Sequence, residues 1–140
     1  MFIDTNVLVK ARIPGAPDHN AARARLERVF RDTEPLRISR QVIREYLAVV
    51  TRPQTWPVVI TREEALDDVS RLSSSFEILE DGSVVTEYLV TLCREVPTGG
   101  KQIHDANIVA TMLARGERRL LTFNAADFRR YGDRIELADG

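Results

Sequence analysis

The sequence predicts an α/β fold: a central parallel sheet of four to five strands, flanked by helices on both faces, in one domain over residues 1–140. Three observations carry that expectation. Short apolar runs alternate with stretches of helical periodicity. The runs lie too far apart for hairpins, which leaves parallel pairing through helical crossovers. At 140 residues, 44% hydrophobic and 29% charged, the chain is long enough to bury a core and has a globular domain's composition. Right-handed crossovers then bring every strand's carboxyl end to one edge, where open α/β sheets bind ligands.

The elements follow in order. Phe2 and Ile3 read as a short buried strand, and Asp4 comes directly after it, with a helix starting near Val7 and reaching Arg12. Asp4 is therefore either an N-cap or a carboxylate exposed at the binding edge. Pro14-Gly-Ala-Pro17 is a turn. Asp18 to Arg31 is amphipathic, with Ala22, Leu26, Val29 and Phe30 on one face. Leu36 to Ile38 is a second strand, and Ser39 caps a helix from Arg40 to Thr51 whose stripe is Val42, Ile43, Tyr46, Leu47 and Val50. Thr61-x-x-Glu64 is a capping box, opening a helix with Ala65, Leu66, Val69 and Leu72 inward. Phe76 to Leu79 is a third strand. Ser83 starts a helix carrying Val85, Leu89, Leu92 and Val96, ended by Pro97. Ile103 to Arg115 is a helix stopped by Gly116. Arg119 to Thr122 is a fourth strand, Asp127 to Tyr131 a short helix, and Arg134 to Leu137 a last strand.

Composition excludes several classes. No apolar run approaches the roughly 18 residues of a membrane span. Met1 leads straight into the first strand, so no targeting peptide is expected. A single cysteine, Cys93, forms no internal disulfide and suits a reducing cytoplasm; with only His19 and His104 beside it, a structural zinc site is not expected. Net charge is −1, but it is unevenly spread. Glu63 to Glu87 holds eight acids and one Arg, whereas Lys10–Asp32 and Arg115–Arg134 each hold six bases and three acids. Such an arrangement would lay an anionic ligand across the two chain ends.

Four polar positions converge on the expected edge. Asp4 ends the first strand. Glu45 borders the apolar stripe of its helix instead of lying opposite it. Asp105, in the first turn of its helix, has Ile108, Val109 and Met112 as its helical neighbours. Asn124 follows the fourth strand, with Asp127 three residues later. Ordinary roles exist for each: a helix cap, a partner for Arg44 or Arg52, macrodipole stabilisation, turn chemistry. Together, carboxylates gathered without a lysine would repel, so that one protonates or a divalent cation neutralises them. Mg²⁺ takes oxygen ligands and keeps waters, so one or two direct carboxylates suffice. Such a site activates water and offsets phosphoryl charge, as phosphodiester hydrolysis requires.

At these residues the sequence resembles the PIN-domain nucleases, most closely the VapC-type toxins of toxin–antitoxin pairs. Phe2-Ile-Asp-Thr-Asn-Val-Leu8 looks like the family's opening motif, and Glu45 within Ser39–Tyr46 like its second. His104-Asp-Ala-Asn-Ile-Val-Ala110 resembles the third, and Leu121-Thr-Phe-Asn-Ala-Ala-Asp-Phe128 the fourth. The similarity runs from Met1 to about Leu137. It implies a PIN-like domain and a Mg²⁺- or Mn²⁺-dependent endoribonuclease that hydrolyses RNA. Asp4 and Asp105 would be metal ligands and Glu45 would complete the acidic site. Thr5, Asn6 and Thr122 would hold the carboxylates from behind. The fourth position, often Asp in the family, is Asn124 here; Asp127 is the residue that would compensate. The resemblance also implies a homodimer and a small antitoxin, whose arginine would block the site by pairing with the acids.

The rivals are a protein that keeps this fold and binds without hydrolysis, for which Asn124 is the best argument, and a haloacid-dehalogenase-type phosphatase. The latter wants an acid two residues after Asp4, where Asn6 stands. A receiver domain lacks its acidic pair, and Gly99-Gly-Lys101 lacks the flanking residues of a P-loop.

Overall fold

The computed structural model describes residues 1–138; Asp139 and Gly140, the end of the expected domain, lie outside the described residues. Five strands form one sheet in the order β3-β2-β1-β4-β5, and every neighbouring pair is parallel. They are β1 (Phe2–Ile3), β2 (Arg37–Ser39), β3 (Glu77–Leu79), β4 (Arg119–Leu121) and β5 (Glu136–Ala138). Seven α-helices connect them: α1 (Thr5–Arg12), α2 (His19–Arg31), α3 (Arg40–Thr51), α4 (Arg62–Ser75), α5 (Ser83–Glu95), α6 (Gln102–Ala114) and α7 (Ala125–Phe128), the last running into a 3₁₀ turn over Arg129–Arg134. The parallel α/β class is thus as expected, with five strands.

The topology places the site. The chain moves outward from β1 through β2 to β3, then returns to the other side of β1 for β4 and β5. The strand order reverses between β1 and β4, and crevices open at the carboxyl ends of strands flanking such a point. The residues there are Asp4 and Thr122. β1 can occupy the centre because Met1, Phe2 and Ile3 are all apolar and essentially fully buried. The Asp4 amide still donates to the Leu121 carbonyl at 3.0 Å, so the pairing of β1 with β4 runs to the edge.

The caps are the ones the sequence signals. The Ser39 hydroxyl accepts from the Val42 amide, Thr61 and Glu64 form the reciprocal capping box, and Gly116, at φ 72°, follows α6 in the left-handed conformation that suits a terminating glycine. Three expectations change. Leu66 is 43% exposed and Phe30 49%, so the apolar stripes of α4 and α2 are narrower than the pattern implied. Phe30 lies at the margin, its ring 5.5 Å from that of Phe76. The short helix starts at Ala125, before Asp127 and not at it, and the 3₁₀ turn with Gly132 at φ 56° delays β5 to Glu136 instead of Arg134. No described helix is long and apolar enough to cross a membrane.

Candidate active site

Asp4 is both the cap and the edge carboxylate. Its Oδ1 accepts from the Thr5 amide at 2.8 Å, closing the first turn of α1. Its Oδ2 accepts from the Thr122 hydroxyl at 2.7 Å and the Asn6 amide at 3.0 Å. A carboxylate offers about four lone-pair directions. Three are taken, so one on Oδ1 is left for an outside partner. Asn6 braces the same corner from the other side, since its Oδ1 accepts from the Phe123 amide at 3.0 Å. The Thr122 hydroxyl also accepts from the Asn124 amide at 3.0 Å, tying the start of the β4–α7 turn to Asp4.

Glu45 arrives from α3. It pairs with neither Arg44 nor Arg52: Thr5 donates to its Oε2 at 2.8 Å and Gln41 to its Oε1 at 2.7 Å. Asp105 arrives from the first turn of α6. These three acids, with Thr5, Asn6 and Asn124, line one cavity of about 430 Å³. Val9, Ala48, Val49 and Trp56 supply an apolar part of the same cavity, and Lys10 and Arg52 contribute cations.

The electrostatics record the crowding. Burial raises Asp4 from the ordinary 3.8 to about 6; the hydrogen bonds from Thr122 and Thr5 oppose that rise, while the charges of Asp105 and Glu45 add to it. Asp105 is also raised to about 6, first by burial, then by Asp127 and Glu45, with His104 and Arg130 pulling the other way. Two acids on one cavity are therefore short of positive charge. Among the described residues no group of three or more His, Cys, Asp or Glu side chains is gathered closely enough to make a ready cage for an ion. The donor set nonetheless fits a hard cation that keeps most of its waters: all oxygen, one lone pair of Asp4 open, and repulsion that a divalent charge would relieve.

The other expected residues divide. Thr5, Asn6 and Thr122 are bonded to the carboxylates. Asn124 is exposed, at the head of α7, and lines the cavity without a side-chain cap bond. Asp127 is exposed and does not line the cavity, although its charge reaches Asp105.

Gln41 was missed. It is 6% exposed, donates to both Glu45 and the His104 carbonyl (2.8 Å), and accepts from Asn107, which donates as well to Asp81. It thus ties the acid of α3 to the first turn of α6 next to Asp105. Its spacing of four from Glu45 puts both on one face of α3, which was the available signal.

The charge asymmetry is partly consumed internally. Asp68 is met by Arg12 at 2.9 Å and Arg71 at 3.2 Å. Arg134 pairs with Glu95 at 3.0 Å, and Arg119 with Glu34 and Glu136. What remains at the cavity includes Lys10, held by Asp18 at 3.1 Å, and Arg52, while Arg25 stacks 4.6 Å from the Phe123 ring centre.

The PIN domain family matches residues 1–134 of the chain. No curated protein matches. Among solved structures, VapBC2 from Rickettsia felis, bound to a DNA fragment from its promoter, is similar with a TM-score of 0.72 and 22% identity, over 98% of this chain and 96% of that one. A toxin–antitoxin complex from Klebsiella pneumoniae has a TM-score of 0.60 and 22% identity, over 91% and 88%. VapC20 of Mycobacterium tuberculosis, a toxin that cleaves the sarcin-ricin loop, has 0.68 and 16%, over 91% and 92%. At such identities the likeness speaks for the fold.

Proposed function

Since the chain belongs to the PIN domain family, we propose that it is a metal-dependent endoribonuclease, its 140 residues acting as one nuclease domain and as the toxin of a type II toxin–antitoxin pair in the cytoplasm. The observation that carries this reading is the meeting of Asp4, Glu45 and Asp105 on one cavity at the carboxyl edge of the sheet.

Asp4 and Asp105 are the residues that would hold Mg²⁺ or Mn²⁺. Bound there, the ion would neutralise the two acids, lower the pKa of a water and offset negative charge on the phosphoryl oxygens. The chain's own groups do the positioning. The Thr5 amide, Asn6 and Thr122 fix Asp4 and leave one Oδ1 lone pair for an outside partner. Glu45, clamped by Thr5 and Gln41, would orient the attacking water and accept its proton. Asn124 presents a neutral amide to the cavity and can orient water or phosphate without adding charge. Asp127 acts on Asp105 through its charge.

The relatives' names support the rest. One is a toxin that cleaves the sarcin-ricin loop and another a toxin–antitoxin complex. For this chain we infer an RNA substrate, a small antitoxin that covers the cavity, and self-association into a homodimer.

The test is cleavage of a structured RNA pool by purified protein in Mg²⁺, in Mn²⁺ and in EDTA, with Asp4→Asn alongside. Cleavage that needs both the metal and Asp4 is the expected result. Cleavage that survives EDTA or Asp4→Asn would remove the site assignment. A folded, antitoxin-free protein that cuts nothing in either metal would favour the non-hydrolytic binder.

A further inference from the structure

The acids account for only part of the cavity. Val9, Val49 and the half-buried Trp56 give it an apolar part, and hydrolysis of a phosphodiester makes no use of that surface. Trp56 lies in the loop between α3 and α4, where it packs against the margin of the core and leaves part of its surface lining the cavity. Two cations share the lining, Lys10 from α1 and Arg52 from the end of α3. Among the described residues Arg52 has no ion-pair partner. The three acids suit a cation, whereas the apolar part with Arg52 and Lys10, the latter also held by Asp18, suits a flat apolar group carrying negative charge.

We propose that the Trp56 side of the cavity is a nucleobase subsite: a base taken out of its stack packs on the indole and Val49, while Arg52 and Lys10 hold phosphates flanking the scissile one. Every base has a π face, so stacking on an aromatic tolerates sequence, and cations along the strand supply the rest of the affinity. A cationic protein segment would gain from the three acids but would meet Lys10 and Arg52 as like charges, so the nucleotide is the better match. A base can reach the indole only when unpaired, which directs cleavage to single-stranded or looped RNA. This subsite rests on the nuclease reading but can fail separately from it.

Trp56 is the sole tryptophan, so its emission reports the subsite without background. The experiment titrates wild-type protein in EDTA with a single-stranded RNA dodecamer, with the same dodecamer annealed to its complement, and with an arginine-rich peptide. The single strand should quench the emission, the duplex should bind roughly tenfold more weakly, and Arg52→Ala should weaken the single-strand titration several-fold. In metal-supported cleavage, Trp56→Ala should raise KM about tenfold with little change in kcat, and Trp56→Phe should restore most of it.

Quenching by the peptide alone would overturn the proposal in favour of a protein occupant. Equal quenching by strand and duplex, or an unchanged KM in folded Trp56→Ala, would also overturn it, with the nuclease itself intact. Quenching without any cleavage would keep the subsite and fail the nuclease reading.

Discussion

Two carboxylates, Asp4 and Glu117, lie at opposite ends of the same sheet and are each 5% exposed, although Asp4 has more protein packed around it. Their surroundings are opposite. Glu117, ahead of β4, accepts from Arg37 at 2.6 Å, from the Met1 ammonium at 3.1 Å and from the Arg119 amide at 3.0 Å. Burial pushes its pKa up, but those donors outweigh it and hold it below the usual glutamate range. Asp4, beyond β1, has only neutral donors and two acids for company, and is raised to about 6. The amino edge of the sheet neutralises its buried acid within the chain. The carboxyl edge leaves its own unneutralised, which costs stability and is useful only if something cationic arrives.

The sharpest break between the two is mutational. Asp4→Asn should lower cleavage on the order of a thousand-fold, while the Tm of the metal-free protein stays within a few degrees, because the lost acceptor is offset by relief from an uncompensated charge. Thermal denaturation in EDTA beside a cleavage assay checks both. A collapse in Tm would make Asp4 a structural acid like Glu117. Glu117→Gln should do the reverse. It weakens the bonds that a buried acid makes to the Met1 ammonium and to Arg37, which keeps Glu77, and should cost about 2 kcal/mol, or roughly 6 °C in Tm, with cleavage per folded molecule unchanged well below the transition.

pH separates them next. Asp4's pKa is higher folded (about 6) than its ordinary 3.8, so the folded state holds the proton longer. Its contribution is fully present below the ordinary pKa and is lost as pH rises through about 6, a change on the order of 3 kcal/mol. Asp105 runs the same way. Glu117, lowered, contributes above its ordinary 4.5 and loses that contribution as pH falls through its folded value. The Tm of the metal-free protein should therefore decline from about pH 4 to 6.5, and Mg²⁺ at pH 7 should recover the loss. Asp4→Asn should flatten that decline, and Glu117→Gln should soften the fall on the acid side. A Tm that rises from pH 5 to 7 without metal would contradict the crowding of the cavity.

What the sequence revealed follows the same division. Local chemistry was legible: the caps at Ser39 and Thr61, the glycine after α6, and the placement of Glu45 and Asp105 beside apolar stripes. Each signal lies within a few residues, where periodicity and hydrogen-bond chemistry act directly. Leu66 and Phe30 were misjudged because a stripe's pattern does not tell how far the neighbouring element reaches around the helix. Gln41 escaped because its partner is a carbonyl 63 residues away, and Trp56 because a loop has no period to place it by. Asp4 was ambiguous between cap and site, and the structure shows that one side chain does both.

The smallest expected effect tests how far the edge's deficit extends. Asn124 is exposed and lines the cavity, so a carboxylate can be added there without burying it. Asn124→Asp introduces a further negative charge near the acids but in a solvated place, where screening limits the interaction to well under 1 kcal/mol with any one neighbour. The expected result is a few-fold drop in the Mg²⁺ concentration for half-maximal cleavage, with a Tm in EDTA lowered by a degree or two at pH 7. Both changes should shrink at high salt. If the metal requirement does not move, Asn124 lies outside the field that Asp4 and Asp105 share, and the cation's site is set by those two acids and Glu45. If it moves tenfold or more, the added carboxylate has become a direct ligand. The neutral amide would then be what holds this chain's metal affinity down.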